Sequence, residues 1–302
     1  MLRFLLSLLV FISLTASELK ETYVKTDETS LFCRFGGKGS PIIVIHGGPG
    51  LTQDYLLPYM AKLADNHEVV FYNQRGCGES TGEISSSSIN VANFMKDLEA
   101  VQNAFGFKKA TIIGHSWGGF LAMKYAITHP ERIDKLVLIT SMAHSSDSYK
   151  LVDASWNRNM APYINELNAI SDTIAFKEGD PDTHIRYYQI IFATYFHNPQ
   201  DVSKLQLSMS SSAFLNAKEE QRLFKQEVRE PGYDLSDDLK KLNLPTLIIH
   251  GSSDITPPSV AEEMHRLIPQ STYVLLKDCG HFPYIEKPAE FFNTISPFIN
   301  DV

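Results

Sequence analysis

Between the β-branched run Thr111–Ile113 and the helical pattern Phe120, Leu121, Met123, Lys124, Tyr125, Ala126, Ile127, the chain has only Gly114 to Gly119 in which to turn. A buried strand must therefore pass into a helix through one sharp bend with Ser116 at its apex. The serine backbone is strained in such a bend, and Gly114 and Gly118 let strand and helix approach without Cβ clashes. Gly-x-Ser-x-Gly in a strand–turn–helix setting is the nucleophile elbow. The alternative, a glycine-rich turn with an idle serine, leaves that setting unexplained.

An elbow needs a sheet around it, and the flanking sequence supplies one. Glu18 to Phe35 alternates well enough for two strands, centred on Tyr23-Val24 and Leu31-Phe32-Cys33, before the turn Gly36 to Gly39. Pro41 to Ile45 is a continuous apolar run, as expected of a strand buried on both faces of a parallel sheet. Leu56 to Leu63 reads as a helix and Glu68 to Tyr72 as the next strand. Val91, Phe94, Leu98, Val101 and Phe105 form one apolar helix face, with Gly106 as its C-terminal cap. Lys135 to Thr140, Leu244 to His250 and Thr272 to Leu276 are further strands. Helices are expected near Ser259 to Leu267 and from Pro288 to Ile299, Pro288 suiting a first helical turn. Alternating strands and helices imply right-handed βαβ units and a mostly parallel central sheet with helices on both faces.

From Ser141 to Asp234 the strand signal disappears. Helical segments are expected at Asn159 to Ile174 and His184 to Phe196. The aromatics Tyr187, Tyr188, Phe192, Tyr195 and Phe196 are expected mainly to pack this insertion's own core. The expected organisation is a core over residues 18–140, a helical cap over 141–234 and the rest of the core over 235–302. Residues 1–17 stand apart. Arg3, an apolar stretch from Phe4 to Leu14 and the small residues Thr15-Ala16-Ser17 have the layout of a secretory signal peptide. The run is short for a membrane span, so a secreted or periplasmic protein without stable membrane insertion after cleavage is expected. Retention of the segment as an uncleaved anchor is the alternative.

Composition bounds the partners. With 27 Lys and Arg against 35 Asp and Glu the net charge is −8, and no basic run offers a nucleic-acid surface. His-Glu-x-x-His and phosphate-loop patterns do not occur, so no metal or cofactor is implied. Cys33, Cys77 and Cys279 are too few for a disulfide framework, and one must stay unpaired in a monomer. Cys77 and Cys279 both follow strand C-termini, where the site is expected. Oligomeric state is not legible.

A serine hydroxyl is a poor nucleophile until a base takes its proton and an acid orients that base. Asp254 follows one expected strand and His281 the next, so all three groups fall on the sheet edge where ligands bind. The order Ser116, Asp254, His281 is that of an α/β-hydrolase. Taken singly, Asp254 is an ordinary turn aspartate and His281 a packed loop histidine; Asp147 is the alternative acid, and Asp278 lies too close to His281 in sequence to face it. The backbone N–H of Trp117 and one from His46-Gly47-Gly48-Pro49-Gly50 would hold an oxyanion, with His46 supporting that loop.

His46 to Gly50, Asn73-Gln74-Arg75-Gly76-Cys77-Gly78-Glu79-Ser80, Gly114 to Gly119 and Gly280-His281-Phe282 together resemble the proline iminopeptidase family of α/β-hydrolases, over roughly residues 20–140 and 240–300. The resemblance implies Ser116 as nucleophile, Asp254 and His281 as its partners, and Gly48 with Trp117 as the oxyanion hole. It also implies cap glutamates that hold the substrate's free amine. Tyr187 to Phe196 contains no acid, a departure from the family. Among Glu219, Glu220, Glu227 and Glu230, the Glu219–Glu220 pair is expected to serve. The expected substrate is a short peptide that loses its N-terminal residue. A small carboxylic ester cleaved by the same three residues is the alternative, and a non-catalytic receptor on the same fold is a third reading.

Overall fold

The computed structural model describes residues 19–207 and 210–300; the expected signal peptide over 1–17 lies outside them. Eight strands form one sheet: β1 Lys20–Lys25, β2 Ser30–Gly36, β3 Pro41–Ile45, β4 Glu68–Tyr72, β5 Ala110–His115, β6 Ile133–Ile139, β7 Thr246–Gly251 and β8 Ser271–Leu276. Their spatial order is β1-β2-β4-β3-β5-β6-β7-β8. The β1–β2 and β2–β4 pairs are antiparallel and every other pair is parallel. This is the α/β-hydrolase architecture expected from the sequence.

The central strands are apolar without interruption because each is covered on both faces. Ile43, Ile45, Ile112, Leu136, Leu138 and Ile248 face one layer with the helices α1 Val91–Ala104, α2 Trp117–Thr128 and, later in the chain, Pro258–Leu267. Ile42, Val44, Ile113, Val137, Ile139 and Ile249 face the other, where Pro288–Asn300 packs through Phe291, Ile295 and Ile299. The expected helix over Leu56–Leu63 is instead three short turns, Gln53–Tyr55, Leu57–Met60 and Ala61–Asp65. Pro58 stands in the first turn of Leu57–Met60, where its missing N–H forfeits no helical hydrogen bond.

The strand after β3, β4, lies on one side of it and the next, β5, on the other, so the crevice between the C-terminal ends of β3 and β5 is the sheet's switch point. Above it stands the segment between β6 and β7, which is helical: α3 Ser146–Met160, α4 Ile164–Ser171, α5 Pro181–Ala193 and α6 Ser211–Phe224. The expected helix boundaries here were offset. Asn159 belongs to the end of α3, and α5 begins three residues before His184 because Asp180 caps it, accepting from Thr183 N at 2.9 Å, with Pro181 in its first turn. The two ends of this segment meet at a narrow neck. Ser145 bridges Asp234, Ser146 N donates to Tyr233 O at 2.8 Å and Leu235 N to His144 O at 3.0 Å.

Candidate active site

Ser116 takes φ 56° and ψ −121°, a backbone region costing on the order of 1–3 kcal/mol for a residue with a side chain. Three main-chain hydrogen bonds hold it there: Ser116 N donates to Ile139 O at 3.1 Å, and Ser116 O accepts from Gly119 N and Met142 N, each at 2.9 Å. Packing adds to them. Nine residues of α2 are buried, and each large apolar one contributes about 1.5–3 kcal/mol, enough to outweigh the strain. A Cβ at Gly114 would collide with Gly118 O, and one at Gly118 with Ile45 O. The glycine spacing is therefore set by the close approach of β3, β5 and α2.

His281 Nδ1 donates to Asp254 Oδ1 at 2.8 Å, and both side chains are almost fully buried. Oδ1 of Asp254 also accepts from Thr256 N at 3.1 Å. His250 Nε2 donates to Thr256 O at 2.8 Å and lies 3.4 Å from Asp254 Oδ2, so a neutral imidazole edge faces that oxygen. The loop carrying His281 is fixed through its backbone. His281 N donates to Tyr195 O at 2.7 Å, and His281 O accepts from Thr140 Oγ1 and His115 Nε2, each at 2.9 Å. The alternative acids lie elsewhere: Asp147 is exposed and pairs with Lys150, and Asp278 is exposed, 3.9 Å from His197.

A second network joins the His46–Gly50 loop to the same histidine. Gly47 N donates to Tyr55 Oη at 2.6 Å, Tyr55 Oη donates to His115 Nδ1 at 2.7 Å, and His115 Nε2 donates to His281 O. Only this direction is consistent, because a carbonyl accepts and a neutral imidazole has one donor. Burial pushes the His115 pKa well below the ordinary histidine value, which keeps the ring neutral. His46 supports the loop from below: its Nε2 accepts from Gln74 N at 3.0 Å, leaving Nδ1 to donate to Gly47 O at 2.7 Å, and burial lowers its pKa to about 4. Gln74 ties both sides together, donating to His46 O at 2.8 Å and accepting from Trp117 Nε1 at 2.9 Å. The loop Asn73–Ser80 is itself anchored by the buried pair Arg75–Asp97, with Nε–Oδ2 2.7 Å and Nη2–Oδ1 2.8 Å. With Gly47 N–H engaged, the next amide of the loop is Gly48, at φ 132°; Trp117 N–H opens α2 and so has no acceptor one turn earlier in the helix.

Ser116, Trp117, Gly48 and His281 line one cavity of about 620 Å³ under the helical segment. Tyr187, Tyr188, Phe192 and Tyr195 line it too. They were expected mainly to fill the segment's own core; Tyr187 does pack on Phe176 at 4.9 Å and Tyr188 on Phe214 at 5.9 Å, but all four also face the cavity. Phe196 does pack inward, stacked on Phe282 at 4.7 Å. The two glutamates expected over Ser116 are not in the lining. Glu219 is paired with Arg222, and Glu220 is fully buried against the Asn73–Ser80 loop, accepting from Cys77 Sγ at 3.4 Å. Helix geometry separates them: α6 turns positions 218 and 221 to the cavity, so 219 and 220 point elsewhere. Nor do Cys77 and Cys279 line the cavity; both are buried as free thiols. Among the described residues no cluster of side chains could hold a metal ion.

Residues 40–288 match the family model of the alpha/beta hydrolase fold. A proline iminopeptidase of Heyndrickxia coagulans is 28% identical over 275 residues, 88% of this chain and 92% of that protein. The solved proline iminopeptidase of Mycobacterium smegmatis superposes with a TM-score of 0.70 at 21% identity, covering 93% of this chain and 98% of that one. An esterase from Rhodococcus superposes with 0.68 at 22% identity, covering 94% and 99%. The sheet order, the strained serine and a family match over most of its length agree: the chain belongs to the alpha/beta hydrolase fold family.

Proposed function

We propose that the protein is a serine hydrolase that cleaves small carboxylic esters through an acyl-enzyme. The observation that carries this reading is that Ser116, held at φ 56°, lines one cavity with His281, whose Nδ1 is held from behind by Asp254. In this reading Ser116 Oγ attacks the carbonyl carbon while His281 Nε2 takes its proton. Asp254 holds the tautomer that leaves Nε2 free to do so and stabilises the imidazolium that forms. The N–H groups of Gly48 and Trp117 receive the oxyanion, each such donor typically contributing 10²–10³-fold. His281 then protonates the departing alkoxide, and water repeats the sequence on the acyl-enzyme.

Ester is preferred over peptide because of what surrounds the nucleophile. A substrate α-ammonium group leaving water needs a carboxylate beside it, and among the described residues lining the cavity there is no aspartate or glutamate. Lys218, Lys225 and Arg229 line it instead. The second reading, an aminopeptidase of the proline iminopeptidase kind, draws support from relatives of that name along nearly the whole chain.

Two measurements decide. Ser116→Ala should lower kcat by roughly 10⁴–10⁶-fold in a folded protein. Substantial remaining turnover would mean that another group is the nucleophile. Prolyl-naphthylamide, its N-acetyl form and short-chain nitrophenyl esters should then be compared. The ester reading expects ester turnover with no preference for the free amine. A free-amine preference of about tenfold or more, about 1.4 kcal/mol, would move the assignment to the aminopeptidase.

A further inference from the structure

The charge on the cap side of the cavity is one-signed. Lys218, Gln221, Lys225 and Arg229 recur at steps of three and four along α6 and the wider turn Lys225–Arg229 that continues it, and all four line the cavity. The same segment contains Glu219, Glu220 and Glu227, with Glu230 just beyond its end, and none of the four lines the cavity. Glu219 pairs with Arg222, Glu220 is buried against Cys77, Glu227 accepts from Val91 N at 2.9 and 3.1 Å to cap α1, and Glu230 stands 3.8 Å from Lys225 Nζ without lining the cavity.

The three cations differ in what already holds them. Arg229 bonds both oxygens of Asp153 at 2.6 and 2.7 Å and lies 4.4 Å over the Tyr149 ring, so its place is structural and its charge is largely offset. Lys225 has only the long contact to Glu230, and Lys218 has no ion pair among those seen in the described residues. A solvated helix face ordinarily mixes signs, since like charges one turn apart destabilise a helix by a few tenths of a kcal/mol. Here they stand at the opening of a cleft walled by aromatic rings, where low-dielectric walls focus the field. The segment also abuts the oxyanion loop: Gln221 Nε2 reaches Pro49 O at 3.5 Å, and a Cβ at Gly50 would collide with Ala217.

We propose that Lys218 and Lys225 form a subsite for a carboxylate carried by the substrate away from its scissile ester. This deepens the serine-hydrolase reading and rests on it. The carboxylate could reside on the acyl side, as in a monoester of a dicarboxylic acid, or on the leaving-group side, as in an acylated hydroxy acid. Both present the same anion to the same two ammonium groups.

The test uses two matched substrate pairs. Mono-4-nitrophenyl glutarate against its neutral methyl ester probes the acyl side, and 3-acetoxybenzoate against its methyl ester probes the leaving side. In one pair the wild-type protein should favour the anion by about five- to tenfold in kcat/KM, and added salt should shrink that ratio. Lys218→Gln with Lys225→Gln should bring the ratio near one, and Lys218→Glu should invert it. Both side chains are exposed, and an unchanged Tm verifies each fold. Hydrolysis of the neutral esters with no anion preference in either pair would overturn the subsite and leave the hydrolase reading standing. A preference that survives both substitutions would also overturn it. No hydrolysis of any ester or peptide would overturn the hydrolase reading itself.

Discussion

Tyr55 ties the His46–Gly50 loop, through His115, to the loop that carries His281. Its hydroxyl receives the Gly47 N–H and gives its proton to His115, which in turn holds the His281 carbonyl. Burial raises the phenol pKa, so the hydroxyl remains a donor across the working pH range. Tyr55→Phe leaves Gly47 N–H and His115 Nδ1 buried without partners, at a cost of about 1–3 kcal/mol in stability. As a positioning residue it should act on geometry. The expected result is a fall in kcat of roughly 10–100-fold with KM changed by no more than about twofold. A variant that loses stability but keeps its kcat would show the network to be structural only. Nothing in the sequence marked Tyr55, because a tyrosine in a turn has no periodicity and its partners lie 8 and 60 positions away. Ser116, Asp254 and His281 could be singled out as candidates for the opposite reason. Each follows a strand whose pattern is local, and the sheet then brings those strand ends to one edge.

Helix α6 shows what a single element hides. Its sequence revealed acids and bases close together; the turn of the helix decided that Lys218 faces the cavity and Glu220 the core. Burial raises the Glu220 pKa to about 8, against an ordinary 4.5, so the carboxyl is neutral in the folded protein at neutral pH. The folded state therefore holds a proton that the unfolded chain releases. Stability falls as pH rises from about 4.5 to about 8, because the native state binds more protons throughout that window. Glu220→Gln carries no such proton. Relative to wild type it should gain on the order of 3–5 kcal/mol between pH 5 and 8. Urea unfolding of both proteins at the two pH values measures this, and parallel behaviour would show that Glu220 is not buried as a neutral acid. The start of α3 was similarly obscured. Ser145 caps it, accepting from Ser148 N at 3.2 Å, but a serine-rich stretch reads equally well as loop until its carbonyl partners are known.

At the scale of the whole molecule, the strands and their order of chemistry were recoverable because buried parallel strands are apolar along their entire length, whereas cap placement depends on contacts between distant surfaces. The cysteines illustrate the difference. Cys77 and Cys279 were placed correctly at strand ends, yet neither reaches the cavity. Burial raises the Cys33 pKa to about 12 and those of Cys77 and Cys279 above their usual range. N-ethylmaleimide should therefore leave all three thiols unmodified in the native protein and label all three in urea. Rapid native labelling that slows ester turnover would contradict this burial. The cap is joined to the sheet at its neck, but it has another attachment, the carbonyl of Tyr195 that receives the His281 amide. That bond makes the roof a part of the backbone support of His281. Any displacement of the Tyr195 carbonyl would release the His281 amide, so under the proposed reading the position of the roof and the position of the proposed base are set together.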